Sequence, residues 1–254
     1  MSQRYAWVLN LDAELELARG RPGYVAQRKL TEQLALHGSS SRALLGPGDV
    51  LLDLITPTEA EVLPRRELRG RAWCPTPLAL QRLRAFGVEP EPHPDAAVLR
   101  RVNHRLCAHE LGGGLPGQTY VSSRSELLSR VGDYGRRWLL KRPLTFAGRG
   151  QLRIIGPLTD KQWTWVELSL ERDGLILEPL VTPRFEVSLH GFVWQDGHFE
   201  LGRVCAQQVS ERGTFQAVRL AEPGELKSAE DDALFERAEL AARELSGAGY
   251  FGPF

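Results

Sequence analysis

Cysteine is scarce: Cys74, Cys107 and Cys205 are the only three in 254 residues, and they lie far apart. That spacing offers no disulfide framework and fits a reducing, cytoplasmic compartment. Long hydrophobic runs are missing too. No stretch approaches the roughly 20 apolar residues that span a bilayer, and the N-terminus MSQRYAWVLNLDAELELA has no apolar core ending in a small-residue cleavage site. Net charge is absent, because 32 basic residues balance 32 acidic ones. This excludes a chain-wide basic field for nucleic acid or anionic membrane, while leaving room for a local patch. Asparagine occurs twice, as Asn10 and Asn103, and lysine four times, as Lys29, Lys141, Lys161 and Lys227. Arginine is therefore the default cation, and a lysine inside an apolar segment needs a reason, be it chance or chemistry. What remains is ordinary for a soluble globular protein, with 42% hydrophobic and 25% charged residues.

The hydrophobic pattern predicts strands over 5–11, 49–55 and 71–74, with an ambiguous polar stretch at 12–48 that includes Ser39-Ser40-Ser41. Pro75-Thr76-Pro77 opens a helix carrying Leu80, Leu83 and Phe86 on one face, with Thr76 as N-cap and Gly87 beyond its end. The proline-rich segment 87–95 reads as a boundary, which gives an α/β domain over 1–93 and a second domain over 94–254. In the second domain, Val98, Leu99, Val102 and Leu106 predict one helix over 96–110, capped by Asp95 and ended by Gly112-Gly113-Gly114. A short strand is expected at 119–121, and Ser123 with Glu126 forms a capping-box pattern. Strands follow at 137–141 and 152–155, then a helix opened by Thr159 and Gln162, and the apolar run 175–181. Strands 185–194 and 199–209 pair across an Asp196-Gly197 turn, and a helix spans 229–245 with Ser228 as N-cap.

Three segments carry candidate chemistry. Lys141 ends an apolar strand and is followed by a loop containing Gly148, Arg149 and Gly150. A phosphate site needs small residues that let backbone N–H groups approach the oxygens, with a cation beside them. The residues alone leave open a surface hairpin with a snorkelling lysine. Glu178 interrupts the apolar run LILEPLV, and Pro179 after it cannot donate a ladder hydrogen bond, so pairing is expected to stop there and leave backbone groups for a ligand. An exposed glutamate at a strand end is the alternative. In FEVSLHGF, Phe185, Val187 and Leu189 alternate with Glu186, Ser188 and His190, whose polar face meets either solvent or a cleft. The G-x-G-x-x-G match at Gly247, Gly249 and Gly252 has no helix after it. His104, Cys107 and His109 lack a zinc spacing, and neither a Walker loop nor G-x-S-x-G occurs.

Taken in order, WLLKRPLTFAGRGQ, LILEPLV, FEVSLHGFVWQDG and GYFGPF resemble the ATP-grasp superfamily of carboxylate–amine and carboxylate–thiol ligases. The resemblance covers about residues 95–254. It implies an α/β (α+β) protein: an N-terminal Rossmann-like pre-ATP-grasp unit, then an ATP-grasp fold with an antiparallel sheet, its subdomains at about 94–135 and 136–254. It implies ATP as ligand, with Lys141, Gly148, Arg149 and Gly150 at the phosphates. Glu178, Pro179, Leu180 and Val181 become the adenine hinge and Glu186 the ribose ligand. Arg105 stands where the family's N-x-K pattern has a lysine, in Asn103-His104-Arg105.

Magnesium is expected for the family, but its carboxylates and Glu-x-Asn element come after a strand like GYFGPF, where this sequence stops. The resemblance therefore implies an incomplete ATP-grasp fold that binds nucleotide and turns it over little on its own. A second polypeptide supplying the metal site, as in a split ligase, and a non-catalytic nucleotide-binding or scaffold protein are the alternatives. Neither nucleic acid nor membrane is expected as a partner.

Overall fold

The computed structural model describes residues 3–20, 23–26, 28, 32, 41–42, 45–55, 61, 63, 65–132, 135–145, 148–209 and 215–254. Lys29, Ser39, Ser40 and the Phe146-Ala147 part of the expected glycine loop lie outside the described residues. The chain divides into two compact units, Met1–Arg100 and Arg101–Phe254. No helix among the described residues is long and apolar enough to cross a membrane.

In the first unit, β1 (Arg4–Val8) lies between β2 (Val50–Leu51) and β3 (Leu68–Ala72) and runs parallel to both. Parallel neighbours require crossovers, and helices α1 (Ala13–Arg19) and α2 (Pro77–Ala85) flank the strands in sequence. Ala79, Leu80 and Leu83 of α2 join Ala6, Val8, Leu68 and Val88 in one buried cluster. Gly70 permits this close approach, since a β-carbon there would stand 3.1 Å from both Leu83 methyl groups and from the Glu89 carbonyl.

The strands expected over 5–11 and 49–55 are shorter because polar side chains take over the backbone beyond them. Asp53 accepts the Leu9 N–H at 2.6 Å and pairs with Arg82 at 2.7 Å. The Asn10 amide exchanges hydrogen bonds with the backbone of Cys74 at 2.7 and 3.1 Å. Thr76 holds the N-cap position of α2 but does not cap with its side chain. Its buried hydroxyl donates to Glu16 instead, and the other Glu16 oxygen accepts the Leu78 N–H at 2.8 Å. A carboxylate from α1 thus satisfies an orphan donor of α2 and complements its dipole.

The single helix expected over 96–110 is broken. The chain forms α3 (Ala96–Asn103) and α4 (Arg105–Glu110). Between them His104 takes an extended conformation with ψ 127°, and its Nδ1 accepts the Leu106 N–H at 3.2 Å. The ring does the work of a capping side chain, so the helical ladder restarts at Arg105.

Beyond the break, β4 (Thr119–Val121), β5 (Trp138–Lys141), β6 (Gln151–Ile154) and β7 (Leu175–Pro179) form an antiparallel sheet in the order β4-β7-β5-β6. Residues of α5 (Arg124–Val131) and α6 (Asp160–Asp173) bury against one face of it, where Leu127, Val131 and Val166 meet Val121, Trp138, Leu140, Ile154, Leu175 and Leu177. The Thr159–Gln162 capping box opens α6 as expected. At α5 only half of the box forms: Ser123 accepts from the Glu126 N–H, whereas the Glu126 carboxylate reaches back to the Ser122 N–H.

A second antiparallel sheet, in the order β10-β9-β8-β11, contains β8 (Glu186–Val193), β9 (Phe199–Val209), β10 (Phe215–Leu220) and β11 (Gly252–Pro253). The turn between β8 and β9 closes through the Gly197 N–H to Trp194 at 3.0 Å, with Gly197 at φ +89°. Helix α7 (Ser228–Gly247) follows β10. The apolar ending finds a partner, for Gly252 and Pro253 pair with Val193 and Phe192 of β8. The fold class is α+β, with a parallel sheet in the first unit and antiparallel sheets in the second.

Candidate functional site

Register divides the side chains of the first antiparallel sheet between its two faces. Trp138 and Leu140 of β5 turn with Leu175 and Leu177 of β7 toward the helices, so Leu139, Lys141, Ile176 and Glu178 occupy the opposite face. Lys141 stands opposite Ile176 and Glu178 opposite Leu139, which makes the two charged residues diagonal neighbours. Their side chains meet at 2.5 Å between Nζ and Oε1, with 24% and 11% of their area exposed. The lysine is therefore not a cation waving in water, and the glutamate is not an exposed strand end. Gln151 and Arg153 of β6, opposite Lys141 and Leu139, share this face. Sequence reading did not single them out, although the alternation in QLRI carries the signal.

The loop after Lys141 is closed at its base by the Arg142 N–H, which donates to the Gly150 carbonyl at 2.8 Å. Arg142 turns to the helix side. Its Nε donates to Ser169 at 2.8 Å and its guanidinium lies 4.8 Å from the Trp165 ring centroid. Burial, with Arg172 nearby, lowers the pKa of that guanidinium. Gly150 has φ +65°, and a β-carbon there would sit 2.5 Å from the Thr145 methyl. Gly148 has φ +69° and nothing within 4 Å of a β-carbon position. Both glycines hold conformations costly for other residues, and one of them faces open space. Arg149, between them, is exposed.

The expectation that pairing stops at Pro179 holds on one edge only. Toward β5 the ladder continues, because the Leu180 N–H donates to the Arg137 carbonyl at 3.0 Å. Toward β4 the last pair is Thr119 with Leu177, and Pro179 lies beside Gly117. With Leu180 turned to β5, alternation directs the Pro179 carbonyl and the Val181 N–H to the other edge. Among the described residues no backbone hydrogen bond engages either group.

Arg105 is brought to the same loop, where its guanidinium donates to the Arg142 carbonyl at 2.6 Å and to the Thr145 hydroxyl at 2.9 Å. Glu186 is not brought to Lys141. It opens β8 in the second sheet opposite Gln207, and among the described residues no hydrogen bond or ion pair engages its carboxylate. The chain just before it is tied to α7 by the Arg184–Glu230 pair at 2.7 Å. The Lys227 N–H and Arg184 hold the Glu230 carboxyl below its ordinary pKa. Open cavities of about 330 and 300 Å³ lie elsewhere, one lined by Asp49 and Leu51 and the other by Arg203 and Asp231. Among the described residues no three His, Cys, Asp or Glu side chains gather as a metal site.

No family model and no curated protein matches the sequence. Solved structures are similar in fold. N5-carboxyaminoimidazole ribonucleotide synthetase from Thermus thermophilus superposes over 98% of this chain and 65% of its own, at 20% identity and a TM-score of 0.50. D-alanyl-alanine synthetase A from Vibrio cholerae matches over 96% of this chain and 82% of its own, at 11% identity and TM-score 0.54. A biotin carboxylase–β,γ-ATP complex from Campylobacter jejuni matches over 98% and 60%, at 11% identity and TM-score 0.58. The chain thus has the fold of the ATP-grasp carboxylate–amine ligases, as the ordered motifs led us to expect. It spans less than two thirds of the length of the first and third of these proteins.

Proposed function

We propose that this chain is the ATP-binding module of an ATP-dependent ligase, with the nucleotide held against the face that carries Lys141 and Glu178. The observation that supports this most is the largely enclosed Lys141–Glu178 pair, set on the sheet face opposite the helices and beside a glycine-bearing loop. In this reading the Lys141 ammonium and the N–H groups around Gly148, Arg149 and Gly150 take phosphate oxygens. Glu178 orients Lys141, and Glu186 accepts from ribose hydroxyls. Pro179 and Val181 offer one acceptor and one donor, while Leu180 keeps the hinge in register with β5. Adenine presents the complementary pair, an amino donor beside a ring-nitrogen acceptor; guanine presents the reverse and leaves both backbone groups unmatched. When bound, ATP supplies the phosphoryl group that activates a carboxylate toward an amine or thiol.

The described residues do not fit a complete magnesium site, since no three candidate ligands converge, and no step is assigned to that metal. The same observation favours a second reading, in which the chain binds nucleotide without turning it over or relies on a second polypeptide. The first unit would be the domain that precedes the ATP-grasp fold, and a cytoplasmic location belongs to the same proposal, in keeping with three free cysteines.

A thermal-shift screen with and without magnesium tests the binding claim. ATP at about 100 times its dissociation constant should stabilise the protein by about 2.7 kcal/mol, raising the melting temperature by about 5–10 °C. GTP should do far less. Equal shifts from ATP and GTP, or none from either, would remove the proposal.

A further inference from the structure

The break between α3 and α4 has a consequence for the loop at residues 142–150. In an unbroken helix the Arg105 N–H would donate to the carbonyl four residues before it. With His104 extended and capping α4, that N–H donates instead to the Pro143 carbonyl at 3.2 Å. The Arg105 side chain reaches the same stretch. Nη1 lies 2.6 Å from the Arg142 carbonyl, 3.4 Å from the Pro143 carbonyl and 2.9 Å from the Thr145 hydroxyl, and Nη2 lies 3.4 Å from the Thr145 carbonyl. One residue thus binds the outgoing limb of the loop at three positions, Arg142, Pro143 and Thr145. On the far side Arg142 is held by Ser169, and the incoming limb is held by the Arg142–Gly150 hydrogen bond and the close fit of Gly150 against Thr145.

We infer that Arg105 is a positioning residue: it braces the root of the 142–150 loop from the start of α4, so that Lys141 and the glycines meet a phosphate already arranged. A guanidinium suits this task better than the lysine expected from the family pattern, because its five donors lie in a rigid planar fork whose two terminal nitrogens reach separate acceptors, whereas an ammonium has three donors on one nitrogen. The inference rests on the nucleotide reading above for its ligand, but the bracing itself is a property of the unliganded chain.

The test compares wild type, R105A and R105K in two measurements: calorimetric affinity for ATP and for adenosine, and hydrogen exchange of the peptide covering 142–150. For R105A, ATP should bind about 10-fold more weakly while adenosine changes by less than about 2-fold, because only the phosphate end loses its arrangement. Exchange in 142–150 should quicken while β7 and β8 keep their protection. R105K should fall between the two, and it carries the comparison if R105A does not fold. Unchanged exchange in 142–150 would overturn the bracing role. If exchange stays slow while ATP affinity falls, Arg105 contacts phosphate directly. If ATP and adenosine weaken equally, its effect is on the whole site. Failure of wild type to bind ATP would remove the nucleotide reading, and exchange alone would then decide the brace.

Discussion

Replacing Lys141 with alanine is expected to weaken ATP binding about 10- to 100-fold, the loss of roughly 1.5–3 kcal/mol from one charge-assisted hydrogen bond. The effect should fall on ATP and ADP and spare adenosine, because the ammonium lies beside the glycine-bearing loop and not at the hinge. An arginine at the same position should not restore affinity, since a planar fork does not fit where one ammonium is enclosed with Glu178. Titration of ATP and adenosine into wild type, Lys141→Ala and Lys141→Arg checks both statements. Equal ATP affinities in wild type and the alanine variant would mean that phosphate is held elsewhere.

The second large effect concerns stability. Glu178→Ala leaves the Lys141 ammonium largely buried without its partner, which in a fully enclosed pair costs about 3–5 kcal/mol. About a quarter of the lysine side chain is exposed, so part of that penalty is relieved by water, and a loss of about 2–3 kcal/mol is expected. The double variant Lys141→Met, Glu178→Leu fills the same volume without charge and should stand within about 1 kcal/mol of wild type. Urea unfolding of wild type, Lys141→Met, Glu178→Leu and the double variant gives the cycle, and a coupling near zero would show that the pair is open to solvent. The double variant also separates two roles, for it should fold normally and yet have lost ATP.

The strands that hold this pair were legible in the sequence because their apolar runs are long and bounded by clear punctuation. RWLLK ends at Pro143 after one intervening residue, LILEPLV begins after Gly174, and the β8–β9 hairpin is marked by Asp196-Gly197. That Lys141 and Glu178 touch was not legible. Their contact depends on β5 lying beside β7 with Lys141 opposite Ile176, and register between strands separated by a helix leaves no local trace. Strand β10 went unread for another reason: all six residues of FQAVRL are exposed, so no buried face imposes an alternating pattern. The break at His104 was hidden because histidine is neither a helix breaker nor a usual cap, and its capping becomes visible only once the Leu106 N–H is seen on its ring. Thr76 shows the converse. It stands at the cap position expected of it, yet its hydroxyl is drawn away by Glu16, a residue from another helix.

The residue pattern therefore marked the strands that carry the proposed site, while the contacts between them became visible only in the fold. Arg105 illustrates this. The resemblance placed it at the family's N-x-K lysine, and its hydrogen bonds to residues 142–145 suggest a brace.

The most direct measurement is a crystal structure of this chain with a non-hydrolysable ATP analogue. Adenine should lie against the Pro179 carbonyl and the Val181 N–H, with a phosphate oxygen within hydrogen-bonding distance of Lys141 Nζ. An analogue bound at another surface, with the Lys141–Glu178 face left empty, would contradict the account.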